Sequence, residues 1–298
     1  MNTAPPPLRD PQEPPVTLSV WARAQRSQTP EETVFAAGAA LSVLHLALQR
    51  PDLPQALLRD RLALAAAEAC TVLAGRPERA SDLRDALHLL RPGDHPGPAG
   101  VVHVAWHEAL ARPLSPKALA VALPDCSEVE IAGWLAAPSH AATPPARAAE
   151  VIETVLAARP RAEATALILA EAALAEALGW RHAVPVLASE LSARDLRRTG
   201  ADLRHACHLA AVAGADTALR LAADLTRRAM RLAAVAPRLR AKGAQPAVDL
   251  FLSRDAVSPA ALRAYLSDRA ARRLCDRLVS LGVVRELTGR DSFRLYGL

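Results

Sequence analysis

Before Val283 this chain offers almost nothing from which a β-strand could be built. Hydrophobic residues make up 51% of the 298, yet aromatics only 3%, so Ala and Leu carry the apolar fraction and favour helix. The 24 prolines cut this material into segments. Thr29-Pro30-Glu31-Glu32 is a capping box with proline at the first helical position, opening a helix to about Arg50. Phe35, Leu41, Leu44 and Leu48 are its expected apolar anchors, and the small residues 36–40 allow close helix approach. Further helices are expected to Ala74 (stopped by Gly75), over 77–90, 99–111, from Ser115-Pro116, and from the capping box Ser127-Glu128-Val129-Glu130. They resume over 146–158, 161–178, 185–198, 202–213 and 216–236. The fold class read from this is all-α, a multi-helix bundle, with no fixed-period repeat that would make a solenoid.

The end of the chain differs. Ser267 is a good N-cap, and the helix after it carries Ala271, Leu274, Leu278 and Leu281 on one face. Arg269, Arg272, Arg273 and Asp276 fall on the other, and Gly282 supplies the stop. Val283–Leu287 and Ser292–Tyr296 then read as two short strands joined by Thr288-Gly289-Arg290-Asp291. Two short helices precede this unit, Pro246–Leu252 and one from Ser258-Pro259 to Leu266. Three helices and one β-hairpin form the pattern of a winged helix-turn-helix. In such modules the third helix enters the major groove, where arginine pairs with guanine or with phosphate. Double-stranded DNA is therefore the expected partner, with Ser267, Arg269, Arg272, Arg273 and Arg290 at the hairpin tip as the expected contacts. The alternative is a winged helix that docks protein, its arginines merely solvated, because residues 243–298 hold only 9 Lys and Arg against 6 Asp and Glu.

Three regions follow: a Pro-rich disordered tail over 1–28, a helical domain over 29–242 with a sub-boundary near 137–145, and the winged helix over 243–298. Charge is uneven. From residue 216 onward there are 16 Lys and Arg against 8 Asp and Glu, whereas residues 1–215 are net acidic. Within 216–236, Arg220, Arg227 and Arg231 share a face with Asp224 at salt-bridge spacing, which reads as a self-paired, solvated face. Four cysteines without C-x-x-C spacing point to a reducing compartment. With no secretory start and no apolar stretch of the roughly 18–20 residues a membrane span needs, a cytoplasmic protein with no membrane partner is expected. His103 and His107 have the spacing of metal ligands but lack a third, and His205, Cys207 and His208 form a weaker set. No catalytic motif is read and no cofactor is expected. The alanines at 36–40 make a homodimer the other expected partnership.

Residues 266–298 resemble an uncharacterised bacterial family, domain of unknown function 1403, often plasmid-borne. Phe35-Ala-Ala-Gly-Ala-Ala-Leu, Asp60-Arg-Leu-Ala-Leu, Arg91-Pro-Gly-Asp-His-Pro-Gly-Pro-Ala-Gly and Ala236-Pro-Arg-Leu-Arg-Ala-Lys-Gly-Ala are similar to it too. The resemblance implies that body and terminal module belong to one unit, and implies no activity or site residue.

Overall fold

The computed structural model describes residues 16–23, 29–88, 90, 94–137, 141–239, 243–289 and 293–298. The class is all-α, with one very small sheet. The helices are α1 Val20–Arg23, α2 Pro30–Leu48, α3 Gln55–Leu73, α4 Ala80–His88, α5 Gly97–Ala111, α6 Pro116–Ala122 and α7 Glu128–Ala136. They continue as α8 Pro144–Ala158, α9 Glu163–Ala177, α10 Gly200–Val235, α11 Ala244–Phe251 and α12 Asp268–Ser280, followed by β1 Arg285–Glu286 and β2 Tyr296–Gly297.

Both expected capping boxes form. Thr29 accepts from Glu32 N–H at 3.3 Å while Glu32 takes Thr29 N–H at 2.9 Å, and Ser127 with Glu130 repeats the exchange. The tightest packing pairs are α8 with α9, α10 with α2, and α3 with α5. Every residue of α9 from Ala166 to Ala175 is buried, Glu171 included, and α8, α3, α5 and α7 pack against it. Alanine at so many contact positions lets helix axes approach without cavities. Buried residues form one cluster from Leu18 to Leu298.

Several expectations need correction. Phe35 is not an anchor but 69% exposed, because α2 turns Thr33, Ala36, Ala37, Ala40, Leu41, Leu44 and Ala47 inward. Residues 16–23 lie against the body rather than in a free tail: Leu18 and Ala22 are buried, and α1 packs on α2 and α10. α2 is in fact long and apolar enough to cross a membrane by length and composition, with its only acidic residues in the first turn. The two helices expected over 202–236 are one 36-residue helix, about 54 Å long at 1.5 Å per residue.

The helix expected over 185–198 is absent. There the chain is non-helical, buried over 185–188 and at Leu191 and Leu196, with only a 3-10 turn at Asp195–Arg197. The segment's Leu187 and Ala188 N–H groups instead donate to Glu171 Oε1 of α9 at 2.6 and 2.9 Å. Gly214 of α10 makes room on the other side, since a Cβ there would lie 1.8 Å from Val186 O. Burial pushes the Glu171 carboxyl up to about 7 against the pull of those N–H donors.

Candidate nucleic-acid interface

The C-terminal segment begins at Gly243, whose φ of 99° starts α11 with a left-handed turn. After α11 the chain passes through Val257, then a 3-10 turn at Pro259–Ala264 where a longer α-helix is expected from the sequence. Ser258 caps that turn, accepting from Ala261 N–H at 3.2 Å. α12 follows a second serine cap, Ser267 accepting from Ala270 N–H at 3.4 Å. It turns Ala271, Leu274, Cys275 and Leu278 onto the 3-10 turn and the hairpin base. Gly282, at φ 67°, ends it, and Val283 N–H reaches back to Leu278 O at 3.2 Å.

The sheet is small but has three lanes. β1 pairs antiparallel with β2, Arg285 opposite Gly297 and Glu286 opposite Tyr296. On the other edge Val257 and Tyr296 exchange N–H···O bonds at 2.8 and 2.9 Å. The strands span two residues each, shorter than the runs expected from Val283 and Ser292.

The outward face of α12 holds most of the expected contacts. Ser267, Arg269, Arg272 and Arg273 are all exposed. The Ser267 hydroxyl is engaged as the helix cap. Asp268 Oδ1 accepts from Arg263 Nε and Nη2 at 3.0 and 2.8 Å, while Asp268 Oδ2 lies 3.2 Å from Arg272 Nε. These bonds, chiefly the one from Arg263, hold its carboxyl below the ordinary range. Among the described residues Arg269 and Arg273 make no ion pair. Arg290 lies outside the described residues. Arg263 is a fourth arginine beside this surface that sequence reasoning missed, because its place depends on the 3-10 turn bringing it to Asp268.

A second cluster, also unforeseen, fastens this segment to the body. Asp255, with a side chain 8% exposed, takes Arg61 of α3 and Arg84 of α4. Asp255 N–H donates to Asp60 Oδ2 at 2.7 Å, and Asp60 Oδ1 meets His107 Nε2 at 3.1 Å. Arg61 Nη2 also donates to the main-chain oxygen of Leu298 at 2.9 Å. Burial works to raise the Asp60 carboxyl, but His107 and the Asp255 N–H bring it below its ordinary value; its hydrogen bond in turn raises His107. Gly297 is required here, since a Cβ would lie 2.5 Å from Asp255 O.

Three of the remaining candidates have structural partners. His107 serves this joint, and His103, lowered by burial, has Nδ1 3.3 Å from Leu83 O. His208 meets Thr143 Oγ1 at 2.8 Å. No group of three or more His, Cys, Asp or Glu among the described residues could hold a metal. All four cysteines are buried and unpaired, and burial pushes the Cys70 thiol up to about 12.

No curated protein matches this sequence. A family described as a protein of unknown function, DUF1403, matches residues 7–298. That span takes in both the helical body and the arginine-faced segment, and the chain belongs to the DUF1403 family.

Proposed function

We propose that this chain is a DNA-binding protein in which residues 243–298 act as a winged helix and α12 enters the major groove of duplex DNA. The observation that carries the reading is the outward face of α12, where Arg269, Arg272 and Arg273 are exposed on one short helix. The order helix, bridge at Val257, short turn, helix, hairpin supports it, because it presents the last helix with its first turns free. In this reading Arg269 and Arg273 are the arginines free to fork onto guanine edges or phosphates, Arg290 serves the hairpin tip, and Ser267 fixes the start of the helix. The helical body serves as an effector or oligomerisation unit. Anisotropy of labelled mixed-sequence duplex with the full chain, at several salt concentrations, tests it. The variant Arg269→Ala/Arg272→Ala/Arg273→Ala should bind more weakly, with a salt slope lower by roughly 3 and an unchanged helical CD signal. Unchanged affinity in the triple variant removes α12 as the contact surface.

A specific observation favours a second role, self-association through the body. Val20, Trp21, Phe35 and Leu46 are exposed around α1 and α2, with the Trp21 and Phe35 rings stacked at 5.6 Å. An apolar surface of this kind suits a protein partner, a second copy being the simplest. Light scattering across concentration decides: a monomer at every concentration excludes the homodimer.

A further inference from the structure

Where α10 meets the base of the hairpin, four arginines line one cavity of about 220 Å3. Arg227, Arg228 and Arg231 come from α10 and Arg285 from β1, while the residues just after α12 and Leu298 complete the wall. The one acidic side chain in the lining is already committed. Asp224 Oδ1 lies 3.3 Å from Arg227 Nη2 and its Oδ2 lies 2.7 Å from Arg228 Nε. The main-chain oxygen of Leu298 is held by Arg61. Arg231 and Arg285 are exposed and, among the described residues, have no carboxylate partner. The expectation of a self-paired α10 face therefore holds for Arg227, on Asp224, and for Arg220, on Asp216, but not for Arg231 at the seam, where Arg285 adds charge from a distant part of the sequence.

Like charges gathered in a concave site reinforce one another's field and attract a counter-ion. Arg61, largely buried, feels it: burial lowers its pKa first, and Arg84, Arg285 and Arg228 lower it further against the opposing pull of Asp255. We propose that this cavity binds a phosphate group. Guanidinium forks match phosphate oxygens in bidentate geometry. The volume suits one or two phosphoryl groups and is below the roughly 300–1,000 Å3 of sites for drug-sized ligands. The group can belong to a duplex backbone or to a free phosphorylated small molecule, and the site stands whether or not α12 enters a groove.

The test uses the full chain in phosphate-free buffer, with inorganic phosphate and pyrophosphate as probes and chloride at matched ionic strength as the control. Both probes should raise the melting temperature saturably. The double variant Arg231→Gln/Arg285→Gln, which removes two exposed side chains and should fold normally, should bind them roughly tenfold or more weakly. Duplex binding identifies the source. If the double variant also lowers duplex affinity and reduces the salt slope by roughly 2, the backbone phosphate is the occupant. If duplex binding is unchanged while phosphate affinity falls, the occupant is a free phosphorylated ligand. Phosphate no better than chloride, together with unchanged duplex binding in the double variant, overturns the site. That result would leave the α12 reading standing, which its own triple variant tests separately.

Discussion

Arg61 and Arg84 in the joint differ from Arg269 and Arg273 on α12 in everything but chemistry. The first pair is 11% and 17% exposed and shares Asp255; the second pair is exposed and shares no carboxylate among the described residues. A buried guanidinium has lost its water and must be matched by a fixed anion, so its place is dictated by the fold. An exposed, unmatched one costs the fold nothing and is free to meet a partner. Position relative to a carboxylate, not residue type, separates the structural arginines of this molecule from those proposed to meet DNA.

The largest effect that could break this contrast is at Asp255. Asp255→Ala leaves Arg61 and Arg84 buried without their anion and should destabilise by about 3–5 kcal/mol. Urea unfolding followed by CD measures it, and a loss under 1 kcal/mol would show that the joint is not what fixes the terminal segment. Gly297→Ala attacks the same joint from the backbone, its new Cβ 2.5 Å from Asp255 O, and should cost about 1–3 kcal/mol.

Glu171 extends the contrast to a buried group with no opposite charge. Its folded pKa, about 7, lies above its ordinary 4.5, so the native state holds its proton more tightly than the unfolded chain does. The stability this contributes is full below pH 4.5, declines as pH rises through 7, and amounts to roughly 3 kcal/mol across the window. Buried His103 and His208 and half-buried His88 and His182, all lowered by desolvation, work in the opposite direction, so the wild-type slope alone is mixed. Glu171→Gln keeps an acceptor for the Leu187 and Ala188 N–H groups and removes the titration. Relative to wild type, the variant should gain melting temperature steadily from pH 5 to pH 7.5. A constant difference over that range would contradict the buried-carboxylate account.

What was legible in the sequence divides along the same line. α12 was read to within a residue, because Ser267 and Gly282 are local signals that set its ends. The segment 185–198 is not legible locally, because its Leu187 and Ala188 N–H groups are satisfied by Glu171, an acceptor 16 residues away from Leu187. Gly214 falls between the two helices expected over 202–213 and 216–236, and it is the gap that lets that segment lie against α10. The exposed arginines of α12 could be named from helical periodicity alone. The joint could not, since Arg84 and Asp255 are 171 residues apart and neither carries a local sign of the other.

The smallest effect sharpens the comparison most, because it moves two groups from the matched class to the free class. Asp268 neutralises Arg272 and Arg263 at the start of α12, beside the unmatched Arg269 and Arg273. Asp268→Ala removes a first-turn acid from the helix N-terminus, which should cost about 0.3–1 kcal/mol of stability. It also frees two guanidiniums on the proposed DNA-facing surface and deletes a charge that repels phosphate. Duplex affinity should rise a few-fold at low salt, and the salt slope should steepen by about 1–2 as the released arginines take up phosphates. An affinity that falls instead would mean that Asp268 positions Arg272 for its contact, placing that arginine with Arg61 and Arg84 among those held by the fold.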